Sequence, residues 1–412
     1  MRRRKVSTRD GRLALGTGRP PGPGKAPCPL CGDAETAEFF TADGVPVFCN
    51  VTYETPAEAK RAGRGDIRLR ICRRCGHVFN AAFVPETVSY VPGYENSQQF
   101  SERFRRYAAD LAGALIERLD LRGKNVIEIG CGDGYFLDLL CRMGGNVGIG
   151  FDPAHRPEHR PAGDRGRLSF RASCYGPQHS GEPADLICCR HVLEHIEDPL
   201  RFLLELRRTV GRRDGVSLYF EVPNALAVLG GPSIWDVLYE HYSYFAAAPL
   251  ERLLARAGFE AVSTWEGYEG QFLSILARPE TKEQGPASVR PIGGGAIRKA
   301  AETFADRRRH KLDTWRRRLG LMRGRVVLWQ AGSRGVMFLN GLDDATTLVR
   351  YVVDVNPRKQ GWHIAGSAQK IVAPAFLQRY RPAAVVIMNG VYEAEIRGAL
   401  TRLGISAEVL VA

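Results

Sequence analysis

A glycine-rich turn after a short apolar run constrains the fold of this chain more than any other feature. The segment VIEIGCGDGYF is apolar up to Glu128 and then places Gly130, Gly132 and Gly134 at alternate positions before a second apolar run. Glycines let a backbone lie against a ligand because no Cβ intervenes. The spacing departs from the GxGxxG of dinucleotide-binding turns. We predict a strand, a ligand-binding turn and a helix.

An acidic residue ends the next predicted strand. GIGFD closes with Asp152, about twenty residues beyond the turn, where a carboxylate can accept hydrogen bonds from both hydroxyls of a ribose. The stretch carries no basic pocket for a pyrophosphate. Together these features predict a ribose-bearing ligand without a diphosphate. A nicotinamide-binding fold with an unusual turn is the alternative.

Strands and helices alternate from Asn125 onward. NVIEIG, NVGIGFD, ADLICCR and GVSLYFEVP are predicted strands, and the segments between them are predicted helices. Such alternation is typical of βαβ units and a mostly parallel sheet. SILARP closes the series near residue 279, and a second series runs from RVVLWQAGSRG to ISAEVLVA. The fold class predicted is α/β, with two Rossmann-like units.

Two cysteine pairs define a module before the first α/β unit. Cys28-Pro-Leu-Cys31 and Cys72-Arg-Arg-Cys75 have the spacing of tetrahedral zinc sites, and a glycine after each pair permits a tight turn. Four thiolates complete the coordination, so we predict a structural Zn²⁺. The alternative is two unrelated redox or buried pairs.

The basic charge is concentrated at the N-terminus. Residues 1–27 hold eight of the Lys and Arg residues against one Asp, within a net charge of +13. This segment is rich in Gly and Pro, so we predict a disordered, solvated tail, with contact to nucleic acid as the alternative. No run is apolar enough to span a membrane and no signal peptide is evident, which predicts a cytoplasmic protein.

Two further helices are predicted from periodicity and charge. Apolar residues recur at helical spacing from about Ser97 to Leu119, which indicates a linking helix. A basic helix is predicted from about Ala296 to Leu321, after a linker rich in Gly and Pro. Its arginine runs are interpreted as a solvated face, with an anion-binding patch as the alternative.

Chemistry-bearing side chains gather in two segments. CCRHVLEHIEDP places His191 and His195 four residues apart, which would put them on one helix face. LYEHYSYF, which begins at Leu238, groups Tyr239, Glu240 and His241. The alternative for LYEHYSYF is a helix that buries polar groups in partnered hydrogen bonds.

In this order the motifs resemble class I S-adenosylmethionine-dependent methyltransferases. More narrowly, the chain is similar to nucleotide-sugar C-methyltransferases of deoxysugar and antibiotic biosynthesis. The resemblance includes YEGQFLSILA and DVNPRKQGWHIAGS and covers nearly the whole chain after the tail. It implies a zinc-binding module at 28–85, a methyltransferase domain at 86–279 and a C-terminal Rossmann-like substrate domain at 280–412, behind the tail at 1–27.

The resemblance also implies roles for individual residues. The S-adenosylmethionine site would comprise Glu128, Gly130, Cys131, Gly132, Gly134, Asp152 and His191. His241 would remove a proton next to a ketone, as a histidine with a pKa near neutrality can. Glu240, Tyr239 and His195 would assist it, and Tyr90, Tyr94 and Asn224 would contact the substrate. Family members often read Tyr-x-Glu-His, whereas Leu238 occupies the tyrosine position here.

The substrate implied is a nucleotide-linked keto-sugar. The C-terminal domain would bind its nucleotide through Gly332–Gly335 and Asp354–Lys359. Three rival functions share the cofactor turn: O- or N-methylation of another small molecule, methylation of RNA, and cofactor binding without catalysis. A second Rossmann-like unit, and no aromatic-rich basic surface, favour a small molecule over nucleic acid. We expect a monomer without a membrane partner.

Overall fold

Three β-sheets organise the described part of this chain. The computed structural model describes residues 26–88, 94–159, 166–211, 213, 215–280, 295–322, 325–342 and 345–412. All but two residues of the predicted tail lie outside these ranges, and so do residues 281–294 of the predicted linker, which runs from 280 to 295. One sheet belongs mainly to the N-terminal module, and the other two belong mainly to the two α/β units.

The N-terminal module is built around a long antiparallel pair of strands. Its elements are β1 (Thr36–Pro46), β2 (Thr52–Tyr53), α1 (Pro56–Lys60), β3 (Arg64–Cys72) and β4 (Val78–Asn80). β1 pairs along β3, and β4 adds to the other edge of β3. The alternating sequence of β3 buries Ile67, Leu69 and Ile71 on one face, as its period of two predicts.

The linking helix begins later than its apolar spacing predicted. Helix α2 (Glu102–Leu119) starts where the Ser101 side chain accepts a hydrogen bond from the Phe104 amide at 3.2 Å. Residues 97–100 therefore form a loop, which is free to contact other parts of the chain. The helix buries Phe104, Leu111 and Leu115 in the core.

The central unit is a seven-stranded sheet with helices between its strands. Its elements are β5 (Asn125–Ile129), α3 (Tyr135–Gly144), β6 (Val147–Phe151), β7 (Leu168–Arg171), β8 (Leu186–Arg190), α4 (Pro199–Val210), β9 (Ser217–Pro223), α5 (Ala225–Leu229), β10 (Ser243–Tyr244), α6 (Ala247–Arg256), β11 (Phe259–Gly267) and β12 (Phe272–Pro279). The strand order is β7-β6-β5-β8-β9-β12-β11. The first five strands are parallel, and β12 and β11 are antiparallel. The predicted Rossmann-like α/β class is confirmed.

The C-terminal unit repeats this architecture. Its elements are α7 (Gly295–Leu321), β13 (Val326–Trp329), α8 (Ser333–Asn340), α9 (Ala345–Leu348), β14 (Tyr351–Val353), β15 (His363–Ile364), β16 (Lys370–Val372), α10 (Leu377–Tyr380), β17 (Ala384–Ile387), α11 (Glu393–Arg402) and β18 (Glu408–Val411). The sheet order is β18-β17-β13-β14-β16-β15-β2. Helix α7 matches the predicted basic helix, and its apolar face buries Phe304, Trp315 and Leu319.

Short strands cross the predicted domain boundaries. β2, from the N-terminal module, completes the C-terminal sheet through pairing with β15, and β10, from the central unit, completes the N-terminal sheet beside β4. One hydrophobic cluster contains Leu69, Trp235 and Phe338, which come from all three units. The three units therefore share a continuous core. Among the helices described, none has the length and apolarity to cross a membrane.

Candidate active site

The four predicted zinc ligands converge in the N-terminal module. The Sγ atoms of Cys28 and Cys75 lie 3.5 Å apart, as do those of Cys31 and Cys72, and all four lie within 4.8 Å of one another. The glycine after each pair adopts a left-handed φ, 74° at Gly32 and 71° at Gly76. This all-thiolate set fits a structural Zn²⁺, which its four donors would enclose completely.

The glycine turn after β5 has the backbone geometry that its sequence predicted. Gly130, Gly132 and Gly134 have φ values of 71°, 55° and 83°, a region that side chains with a Cβ rarely adopt. A Cβ on Gly130 would lie 2.2 Å from Val192 Cγ2. The Asp152 carboxylate accepts from the Gly132 amide at 2.9 Å, which fixes the turn against the end of β6.

Glu128 and Cys131 differ in what they offer a ligand. Glu128 accepts a hydrogen bond from the Leu137 amide at 3.1 Å, and its burial raises the pKa of its carboxyl group to about 8. The Cys131 thiol is buried against Gly150, so its side chain packs in the core. Only the backbone of Cys131 belongs to the turn.

One cavity joins the three units. Its volume is about 270 Å³, and its lining includes Asn50 of the N-terminal module, His195, Glu240 and His241 of the central unit, and Ser333 and Lys359 of the C-terminal unit. LYEHYSYF enters the cavity as a turn that leads into β10, not as a helix. Two polar side chains of that segment, Glu240 and His241, therefore line the cavity.

The two histidines of CCRHVLEHIEDP do not share a helix face. His191 follows β8 with a left-handed φ of 53°, and Leu193–His195 form one turn of 3₁₀ helix. His195 Nδ1 lies 2.9 Å from the Glu240 carbonyl oxygen, and the rings of His195 and His241 are 5.0 Å apart and nearly perpendicular. His195 therefore reaches the cavity as predicted from sequence, but it lies in a loop and not on the predicted helix face.

His241 is a neutral imidazole. Its burial, followed by the charge on His195, lowers its pKa to about 3, well below the near-neutral value that the sequence led us to expect. Its ring carries a lone pair at physiological pH, because the protonated form is not populated. His241 is therefore already in the form that can accept a proton.

Glu240 is held between the central unit and the N-terminal module. Its Oε2 accepts from the Cys49 amide at 3.2 Å, and Tyr94 hydrogen-bonds to the same carboxyl group. Burial raises the pKa of Glu240. Tyr94, one of the two tyrosines predicted to contact the substrate, also lines the cavity, and the other, Tyr90, lies outside the described residues.

Tyr239 and Asn224 are directed away from the cavity. The Tyr239 hydroxyl accepts a hydrogen bond from the Val84 amide and pairs with Thr87 Oγ1, both at 3.1 Å. It therefore links the central unit to the end of the N-terminal module. Asn224 caps α5 through the Leu226 amide, and its Nδ2 donates to Glu266. Neither side chain lines the cavity, so the geometry does not support the predicted roles of Tyr239 in assisting the base and of Asn224 as a substrate contact.

Sequence reasoning missed a buried charge network behind His191. Arg190 and Glu221 are paired neighbours at the ends of β8 and β9, with Arg190 Nη2 2.7 Å from Glu221 Oε1. Tyr107 and Tyr219 both donate to the same carboxylate. A charged residue at each of two adjacent strand ends was the sequence signal that could have revealed the pair.

The C-terminal unit contributes cations to the site. Lys359 is 5% exposed, and its ammonium donates to the Ala331 carbonyl at 3.0 Å and to Asn50 Oδ1 at 3.3 Å. Arg334, in contrast, is committed to both oxygens of Asp236. Within the segment 354–359, which was predicted to bind the nucleotide, Lys359 lines the cavity and Arg358 does not.

Arg358 connects the C-terminal unit to the glycine turn. Its Nη1 lies 3.2 Å from Glu95 Oε2, 3.2 Å from Ser97 Oγ and 3.4 Å from Asp133 Oδ2. Asp133 also accepts from Gln99 at 2.7 Å. The loop before α2 therefore serves as a bridge between the predicted cofactor turn and the predicted nucleotide segment.

Family models match two parts of the chain. Residues 100–264 match the family described as a methyltransferase domain. The central unit is therefore similar to methyltransferase domains. Residues 299–406 match the family described as a C-methyltransferase C-terminal domain, so the second Rossmann-like unit is similar to a domain associated with methyl transfer to carbon.

Individual relatives match mainly the central unit. A tRNA U34 carboxymethyltransferase from Campylobacter hominis is 35% identical over 106 residues, 22% of this chain and 34% of the relative. A ubiquinone biosynthesis O-methyltransferase from Thiobacillus denitrificans is 29% identical over 161 residues, 35% of this chain and 67% of the relative. The chain thus spans about a third to two thirds of these curated relatives.

Two solved methyltransferase structures are similar to this chain over about half of its length. The N,N-8-amino-8-demethyl-D-riboflavin dimethyltransferase from Streptomyces davawensis is 24% identical, with 43% of this chain and 55% of that chain covered and a TM-score of 0.35. The 1,6-didemethyltoxoflavin-N1-methyltransferase from Burkholderia thailandensis is 18% identical, with coverages of 50% and 96% and a TM-score of 0.34.

Proposed function

We propose that this protein is an S-adenosylmethionine-dependent C-methyltransferase that acts next to the ketone of a nucleotide-linked keto-deoxysugar. The observation that carries the proposal is His241, a buried neutral imidazole in a cavity that the methyltransferase domain shares with the C-methyltransferase C-terminal unit. The domain matches support methyl transfer in general, and the chemistry of the cavity supports carbon as the acceptor.

The residues around the glycine turn fit the cofactor. The three glycines with left-handed φ have no Cβ, so a ligand can lie directly against the backbone of the turn. The buried Glu128 carboxyl can pair with an ammonium group of that ligand. Asp152 follows β6, where a ribose would lie. When bound there, S-adenosylmethionine supplies an electrophilic methyl group on a sulfonium. His191 follows β8, at the same edge of the sheet.

The cavity residues account for activation of the acceptor carbon. A carbon next to a ketone becomes nucleophilic when it loses a proton, because the electron pair moves to the ketone oxygen as an enolate. His241 is placed to take that proton because its imidazole is neutral, and its low pKa means that a nearby negative charge must support it as a base. His195 lines the same cavity and can donate a hydrogen bond to the enolate oxygen, whereas the Tyr94 hydroxyl already bonds to the Glu240 carboxyl group.

The C-terminal unit fits the nucleotide portion of the substrate. Lys359 brings a buried ammonium to the cavity wall beside Ala331, immediately before the turn Gly332–Gly335 that opens α8. A buried cation with two neutral acceptors is suited to a phosphate, since it has a third N–H to offer and no carboxylate ion-pair partner among the described residues. We infer that Lys359 binds a phosphate of the nucleotide.

A deuterium-exchange experiment tests the proposal. The purified protein is incubated in heavy water with a panel of nucleotide-linked keto-sugars, with and without S-adenosylmethionine, and products are read by mass spectrometry. We expect deuterium in the sugar without cofactor and a methyl group on carbon with it. His241→Gln should abolish both while cofactor still binds, and His310→Gln, on the exposed face of α7, serves as the matched control.

The other outcomes assign the protein differently. Methyl transfer without prior exchange would favour an O- or N-methyltransferase, the class to which the Thiobacillus relative belongs by name. Neither exchange nor methylation across the panel would contradict the keto-sugar assignment.

A further inference from the structure

A chain of alternating charges runs behind the cavity. Arg190 pairs with Glu221, His191 Nε2 lies 3.1 Å from Glu221 Oε1, and His191 Nδ1 lies 3.6 Å from Glu194 Oε1. The side chains of Arg190, Glu221 and Glu194 are 8%, 0% and 2% exposed. The His191 side chain is 26% exposed, and His191 and Glu194 both line the cavity, so the series positive, negative, positive, negative ends at the cavity wall.

The end of this chain faces the base. Glu194 Oε2 and His241 Nδ1 are both buried, and neither has a hydrogen-bond partner among the described residues. Glu194, His195 and His241 each bring a carboxylate oxygen or ring nitrogen within 4.8 Å of the other two. A buried carboxylate with one unsatisfied oxygen therefore lies beside two imidazoles that line the cavity.

The state of Glu194 is set by its neighbours. Burial alone would raise its pKa, but the hydrogen bond to His191 and the charges of His195 and His191 outweigh burial and hold the pKa below its usual value. Burial would likewise lower the pKa of His191, yet hydrogen bonds to Glu194 and Glu221 raise it to about 9. Glu194 is thus a fixed negative charge and not a proton acceptor.

A fixed negative charge at this point has a consequence for proton uptake. An imidazolium buried without a partner is unfavourable, whereas one beside a carboxylate is stabilised. The other titratable or charged groups around His241 are His191 and His195 from the loop after β8, Tyr244 on β10, and Tyr94, Glu240 and Lys359 on the cavity wall. Of the described groups around His241, Glu194 favours its protonated form, whereas His195 and His191 disfavour it.

We propose that Glu194 is a positioning residue for the base, which stabilises the imidazolium that His241 becomes during the reaction. The substrate C–H bond breaks, an N–H bond forms on His241, and the electron pair passes to the ketone oxygen. The buried chain from Arg190 through Glu221 and His191 holds the Glu194 carboxylate in place. This inference rests on the proposed role of His241 and extends it to a residue outside the LYEHYSYF segment.

Histidine titration by NMR tests the electrostatic role without any substrate. Full-length, zinc-loaded protein with isotope-labelled histidine is compared as wild type, Glu194→Gln and Glu197→Gln, the last an exposed glutamate on the same loop. We expect Glu194→Gln to lower the apparent pKa of His241 by about one unit or more, and Glu197→Gln to leave it unchanged. An unchanged pKa of His241 in Glu194→Gln would overturn the proposal.

The exchange assay adds a readout that depends on the chemistry. Glu194→Gln should slow deuterium exchange by about tenfold or more at neutral pH and move the acid limb of the pH profile downward with the pKa of His241. If no sugar in the panel exchanges, the proposed function fails while the NMR titration still decides the role of Glu194.

Two safeguards keep the test decisive. If circular dichroism shows that Glu194→Gln does not fold, Glu194→Asp is titrated instead, because it keeps the charge but moves it away and must lower the pKa of His241. Metal analysis is run on the same samples. We expect one Zn²⁺ per chain, and a second divalent ion that disappears in Glu194→Gln would overturn the proposal, since Glu194 would then be a metal ligand.

Discussion

Removing the Tyr239 hydroxyl distinguishes residues of LYEHYSYF that stabilise the fold from those that take part in the chemistry. In Tyr239→Phe the ring remains stacked on Phe83, with centroids 5.8 Å apart, so the apolar burial is unchanged. Thr87 Oγ1 keeps its hydrogen bond to the Val84 carbonyl at 2.7 Å, and only the Val84 amide loses its acceptor. One partly buried amide left unpaired costs about 1–2 kcal/mol.

The expected result is a loss of stability without a loss of chemistry. Tyr239→Phe should lower the unfolding temperature by roughly 1–2 °C, measured by calorimetry, and leave the deuterium-exchange rate within about twofold of wild type. His241→Gln should give the reverse pattern. A tenfold slower exchange in Tyr239→Phe with unchanged unfolding, equivalent to about 1.4 kcal/mol in the barrier, would refute the assignment of Tyr239 as structural.

Three further predictions concern the metal, the bridge and the cofactor turn. Cys72→Ser should release zinc and lower the unfolding temperature by roughly 4–8 °C, read by metal analysis and calorimetry, whereas exposed Cys174→Ser should do neither. Arg358→Gln should weaken S-adenosylhomocysteine binding about fivefold or more, because Asp133 in the turn loses its cation, and combination with Asp133→Asn should add little further loss. Glu128 is protonated in the free protein below about pH 8, so binding of a ligand ammonium should release a proton between about pH 5 and 8. Affinity should then rise with pH up to about 8 and level off, and calorimetry in buffers of different ionisation heat should detect the proton in wild type but not in Glu128→Gln.

Features that depend on neighbouring residues in the chain could be predicted from sequence. The glycine turn, the acidic end of β6 and the cysteine pairs each combine a local backbone requirement with a ligand geometry, and the structure brings each set together. Helix α2 began about five residues later than its periodicity indicated, because a capping side chain decides the start of a helix and apolar spacing does not.

Features that depend on partners far along the chain could not be predicted. Tyr239 and Glu240 are adjacent in sequence but face opposite sides of the segment, one toward Gly65 and the other toward Cys49. Glu194 and Glu221 acquire their roles only through β8 and β9 lying side by side. Strands of two residues, such as β2 and β10, carry no periodicity by which to assign them to a sheet.

Strand β2 belongs to the N-terminal module but pairs with β15 of the C-terminal unit, so it can find its partner only late in synthesis. About 310 residues separate Tyr53 from His363, its partner in the sheet, so at roughly 5–20 residues per second the N-terminal module waits roughly 15–60 seconds on the ribosome before that edge can be covered. During that interval the backbone groups of β2 remain open to other partners. Newly made chains should therefore depend on chaperones that bind early, and slower translation of the second half should increase aggregation more than slower translation of the first.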